Sequence, residues 1–169
     1  MTSPPIWALS LTYWLHMLAT VVWIGSLAGL SLLFLPAARQ TIEPQVYASL
    51  LSSIQRRLDP LGWLSLLVLV GTGMFQMSAN PNYQGFLAVN NNWAVAILLK
   101  HILFAVMIGI SAYLTWGLMP KLGRAALRQA HGQDTPEAQS LHRQEALLLR
   151  LNLILALFIL ALTSLARAS

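Results

Sequence analysis

Residues 93–118 read WAVAILLKHILFAVMIGISAYLTWGL, an apolar run from Trp93 to Leu118 whose only basic side chains are the adjacent Lys100 and His101. A helix needs about 20 residues to cross the hydrocarbon core of a bilayer, with a range of about 17 to 25, and this stretch is long enough. Working outward, three more apolar runs appear, at about 6–35, 61–77 and 147–166. The second is just long enough to span. The first is about 45 Å long at 1.5 Å per residue, which implies tilt or projection beyond the bilayer. Composition agrees: 57% of the 169 residues are hydrophobic and 9% charged, against about 25% charged in a soluble domain. The chain reads as an integral membrane protein, all-α, a single domain over 1–169 folded as a four-helix bundle.

The ten Lys and Arg give a formal charge of +5, but they sit beside the apolar runs rather than in one patch, so no nucleic acid partner is expected. Arg39, Arg56 and Arg57 lie between the first two runs, and Lys121, Arg124, Arg128 and Arg143 between the last two, with Arg150 at the start of the fourth. Residues 78–92 carry no charge. Basic loops stay inside, so both termini and the Asn-rich loop are expected outside, in a multi-pass protein of a bacterial-type inner membrane. Arg167, near the outer C-terminus, goes against this trend. The N-terminus has no charged stretch ahead of the first run, so that run reads as a span and not as a cleaved signal. No cysteine is present, which excludes disulfides and thiolate metal sites.

Between the first two spans, Val46, Leu50, Leu51, Ile54 and Leu58 fall on one helical face. The pattern predicts an amphipathic helix over about 43–58 lying on the inner membrane surface. Pro36 and Pro120 are expected to end or kink the first and third helices. Asp134 followed by Pro136 reads as an N-cap with proline in the first turn, starting the fourth helix well before its span. No internal repeat is evident.

An ionisable residue within a span marks a function by default. His16 and His101 lie about ten and eight residues below the outer starts of their helices, roughly 12 to 15 Å down. Trp23 shares the His16 face, small residues flank His101, and Gly71 and Gly73 fall near the same depth on the second helix. Two imidazoles facing each other across a bundle fit the axial positions of a b-type haem. The plainer reading makes each histidine a buried polar residue bonded to its neighbours. Lys100 has no acidic residue within the spans to pair with; a haem propionate, an anionic substrate or snorkelling to the interface would satisfy it. Met74 and Met77, near the outer end of the second helix, are thioether donors that with imidazole suit Cu(I), and methionine is also ordinary core filler. Gly25 and Gly29 form a GxxxG that permits packing within the bundle or self-association. Trp7, Trp14, Tyr83 and Trp93 read as interfacial anchors, and His131 and His142 as solvated loop residues. No GxSxG, Walker A or HExxH motif is present.

Leu15-His16-Met17-Leu18-Ala19 with Trp23-Ile24-Gly25, together with Leu99-Lys100 and Pro120, resembles the CopD family, the copper-resistance D membrane domain. The resemblance implies a role in copper uptake or resistance, and a relation to haem-binding four-helix proteins of the cytochrome b561 type and to membrane protoporphyrinogen oxidase. It implies that His16 and Lys100 are the family's histidine and lysine; His101 has no match. Three functions follow as expectations. The first is a single haem held by His16 and His101 that exchanges electrons with a quinone or a partner subunit. The second is a copper permease lined by His16, Met74, Met77 and His101. The third is an accessory subunit of a larger complex, without chemistry of its own.

Overall fold

The structure is a computed structural model and describes residues 4–42, 44–87, 89–133 and 135–168. It is helical throughout its long elements, and four helices are long and apolar enough to cross a membrane. Helix α1 joins Ile6–Ala28, a π-helical turn Gly29–Phe34 and Leu35–Thr41. Helix α2 is Pro44–Ser78. Helix α3 joins Asn92–Ala112, a π-helical turn Tyr113–Leu118 and Met119–Ala130. Helix α4 is Glu137–Ala168. Below, "inner" denotes the end carrying the basic loops and "outer" the opposite end.

Neither proline ends its helix. Pro36 and Pro120 each follow a π turn by two residues, and the turn closes with a backbone bond five residues back, Leu35 N–H to the Leu30 carbonyl and Met119 N–H to the Leu114 carbonyl. Proline removes a donor and crowds the carbonyl four residues before it. The wider π turn makes room for the ring, and the helix continues. The two devices share a spacing of 84 residues, 29 to 113 for the turns and 36 to 120 for the prolines. The core keeps the same register: Trp23 and Met107, Leu30 and Leu114, and Ala38 and Leu122 are all buried. Helices α1 and α3 are therefore structural counterparts, a repeat faint in the sequence because few of these positions, such as Leu30/Leu114 and Pro36/Pro120, keep the same residue.

The amphipathic segment expected as a separate surface helix forms the first turns of α2, which runs unbroken through Pro60; residue 43 lies outside the described residues. Much of its apolar face is covered by protein, although Val46 is exposed. Tyr47 and Leu51 are buried in the main core, and Ile54 and Leu58 pack against it. At 1.5 Å per residue α2 is about 52 Å long, well beyond a hydrocarbon core of about 30 Å. The inner end of the bundle therefore stands clear of the apolar slab. Helix α4 likewise starts far before its span, as expected, although the proposed N-cap, Asp134, lies outside the described residues.

The helices pack as two antiparallel hairpins, α1 on α2 and α3 on α4, joined by contacts of α1 with α4 and of α2 with the inner part of α3. This sets α1 and α3 on a diagonal. The core runs along the axis through Trp23, Leu66, Met107, Leu118 and Leu153. A smaller outer cluster holds Met77, Trp93, Ala94, Ala96 and Ala166.

The absence of cysteine makes the orientation directly testable. Asn82→Cys and Ser140→Cys introduce single thiols at exposed loop and helix positions. A membrane-impermeant maleimide should label Asn82→Cys on intact cells and Ser140→Cys only after permeabilisation; the opposite pattern would invert the assignment.

Candidate functional site in the outer half of the bundle

Thr12, His16, Ala19, Trp23 and Leu27 recur at three- and four-residue steps and turn toward the bundle interior. His16 lies in the seam between α1 and α2, and a glycine makes its seat. A Cβ built on Gly73 would stand 3.5 Å from His16 Cε1. Gly71, the other glycine expected there, is exposed, and a Cβ on it would meet nothing within 4 Å. The two-residue offset turns it to a different face of α2.

His16 Nδ1 is 2.8 Å from Thr72 Oγ1. The Thr72 hydroxyl already donates to the Val68 carbonyl at 2.5 Å, so its oxygen accepts and His16 Nδ1 carries the hydrogen. That fixes the tautomer and leaves the Nε2 lone pair for a ligand, the arrangement of metal-bound histidines whose other nitrogen is held by a neighbour. One turn further out, Gln76 Nε2 donates to the Thr12 carbonyl at 3.1 Å. Trp23, about two turns inward of His16, is buried edge-on against Phe104 with ring centroids 5.7 Å apart.

From the opposite helix comes Lys100, on the inward stripe that includes Trp93, Ala96 and Met107. It lies 84 residues from His16, so the two occupy matching positions in the repeat. The Lys100 ammonium is within electrostatic reach of the His16 imidazole and of Arg167. Arg167 holds its guanidinium over the Tyr13 ring, 5.2 Å from the centroid. The five acidic residues of the chain, Glu43, Asp59, Asp134, Glu137 and Glu145, all belong by sequence to the inner half. The outer half thus holds an imidazole, an ammonium and a guanidinium with no Asp or Glu beside them among the described residues, an arrangement suited to an anionic guest.

His101 has other company. Its Nδ1 donates to the Ile97 carbonyl at 2.7 Å, and its ring meets Phe86 of the outer loop edge-on, centroids 5.1 Å apart. Because a carbonyl only accepts, His101 too keeps its Nε2 lone pair free. Among the described residues no hydrogen bond or ring contact joins His16 to His101, and no group of three or more His, Asp or Glu gathers. The methionines scatter: Met77 is buried in the outer cluster, Met107 in the main core, and Met17 and Met74 are exposed on the bundle surface. Of the two inner histidines, His131 is exposed as expected. His142 is instead half-buried, edge-on to Tyr47 and 3.4 Å from the carboxylate of fully buried Glu145.

The chain belongs to the copper resistance protein D family, CopD, whose pattern matches residues 52–166, well over half its length. The match includes Lys100 and His101, while His16 lies ahead of it. No curated protein and no solved structure matches the chain.

Sequence reasoning missed Thr72, Gln76 and Tyr13, whose roles depend on which helix faces which. For Arg167 a signal existed: it is the basic residue that breaks the charge rule. Thr72→Val keeps the shape and removes the acceptor. Leaving the buried Nδ1–H unpaired should cost about 1–3 kcal/mol, read from reversible unfolding in lipid nanodiscs; an unchanged stability would show that the bond contributes nothing.

Proposed function

We propose that this CopD-family membrane protein holds a b-type haem in the outer half of its bundle and uses it to exchange electrons with a quinone or a partner subunit. The observation that carries this reading is the His16 site: an imidazole with its tautomer fixed and Nε2 free, with Lys100 in electrostatic reach, Arg167 next to Lys100, and no Asp or Glu beside them among the described residues. The donor set fits haem, which presents an iron that takes imidazole and two propionates that take Lys or Arg. His16 would bind the iron, and Lys100 and Arg167 the propionates. When bound, the group supplies one-electron exchange at a potential set by burial and hydrogen bonding. His101, the second ligand of the sequence reading, would have to leave Phe86 to reach the same iron.

A second reading, copper handling, is favoured by the family itself. Here copper is the cargo. A bare Cu(I) at His16 would be repelled by Lys100 and Arg167, so this reading moves to His101 and Met77, an imidazole and a thioether of the softness Cu(I) prefers. Met77 packs in the cluster that includes Ile97, one helical turn outward of His101.

The absorption spectrum of the purified protein, air-oxidised and then dithionite-reduced, with metal analysis on the same sample, separates the two. Haem predicts Soret and alpha bands that His16→Ala abolishes and Lys100→Met weakens by about tenfold in haem retention, equivalent to about 1.4 kcal/mol. Low-spin bands lost in His101→Ala would make it the second ligand; high-spin bands indifferent to it would leave His16 alone on the iron. Copper predicts a colourless protein that takes up stoichiometric Cu(I), reduced in His101→Ala and Met77→Leu. Neither haem nor copper would sink both readings in favour of an accessory subunit.

A further inference from the structure

The inner half of the bundle holds a partly open pocket of about 90 Å³ at the meeting of all four helices. Most of its wall is apolar, yet Ser26, Gln55, Asp59, Ser111, Thr115 and Asn152 also line it. Asn152 is fully buried; its Nδ2 donates to Ser111 Oγ at 2.9 Å, and its Oδ1 has no protein partner. A buried amide oxygen left without a donor costs free energy, and such groups are satisfied by internal water or an ion. Gln55 gives one amide N–H to the Glu145 carboxylate at 2.6 Å, leaving a second N–H and its oxygen for an occupant. Asp59 adds a carboxylate to the lining. The pocket has room for several waters, which can both donate and accept.

A polar seam holds one wall of the pocket. His142, with about a quarter of its side chain exposed, lies 3.4 Å from Glu145, which is fully buried and bonded in turn to Gln55 on the cavity wall. Asp59 faces no opposing charge within the cavity. Among the described residues, α1, α3 and α4 contribute only neutral, non-titrating side chains to its lining. On its own helix Arg56 and Arg57 are exposed. A carboxylate so placed can change protonation state without breaking an ion pair.

We propose that this pocket is a hydrated protonation site: Asp59, beside water held by Asn152 and Gln55, takes up protons through that water, while the His142–Glu145–Gln55 seam fixes the Gln55 amide that holds it. The step is a proton transfer alone. A hydronium ion of the inner phase gives up a proton, an O–H bond forms on the Asp59 carboxylate, and no electron or further reactant is required. It does not depend on the outer site, since the residues involved lie inward of Trp23 and the proton can be followed whether or not haem or copper is present.

Infrared difference spectroscopy of the full chain in nanodiscs, titrated in H2O and D2O, tests this. The expected result is a protonated-carboxyl C=O band that titrates, shifts in D2O and is lost in Asp59→Asn. Asn152→Leu, which fills the cavity and removes the acceptor, should move the band and its midpoint. Asn152→Ala, which enlarges the cavity, serves if the leucine variant does not fold. Glu145→Gln, of the same shape, should keep the band and move its frequency, because it loosens the Gln55 amide that holds the water. A missing carboxyl band, a band indifferent to both Asn152 variants, or a titration displaced competitively by sodium would overturn the proposal, the last by making the cavity a cation site.

Discussion

Lipid offers no hydrogen bonds, and the positions of the polar side chains in this bundle follow from that constraint. Thr12, Thr20, Ser26 and Thr163 return their hydroxyls to carbonyls of the preceding turn. What the helices cannot settle alone they settle in pairs, His16 with Thr72, Gln76 with the Thr12 carbonyl, Gln55 with Glu145 and Asn152 with Ser111. These bonds tie α1 to α2, α2 to α4 and α3 to α4. In a medium as apolar as the side chains themselves, burial adds little to helix association, so packing and such bonds fix the register.

Apart from the basic residues of the inner loops and helix ends, the charged groups divide along the axis. The outer half holds Lys100 and Arg167 on the same side as His16, and the inner half holds Asp59 and Glu145. Trp23, Phe104 and Met107 lie between as an apolar plug. An anionic group at one end and a proton at the other would be separated by about two helical turns of packed side chains. This is a distance electrons cross readily and protons do not without water.

The sequence makes the spans legible because lipid imposes a length and an apolar composition that no soluble fold shares. It makes the loops legible because their charge is asymmetric. Continuity of the helices is harder to read. Pro36, Pro60 and Pro120 all look like breaks, and the π turns that absorb two of them follow from helix packing. The site is legible in its parts and not in its pairing: His16 and Lys100 stand out as ionisable residues in lipid, yet depth alone matches His16 with His101 as well as with Lys100. One position around a helix is 100°, enough to take His101 from the centre to the loop side beside Phe86. The same angular fact separates Gly73, under His16, from Gly71, which faces away.

The repeat of α1 in α3 has a consequence for how such a centre is built. Two like hairpins set against each other present the same register twice, so any residue at that level meets its own counterpart across the axis. Two imidazoles there would form a symmetric metal clamp, and two ammoniums would repel. Histidine in one half and lysine in the other break the symmetry, giving this level one side with a lone pair and one side with a charge. A guest held this way would be oriented end from end, a polarity that a symmetric pair of hairpins cannot impose.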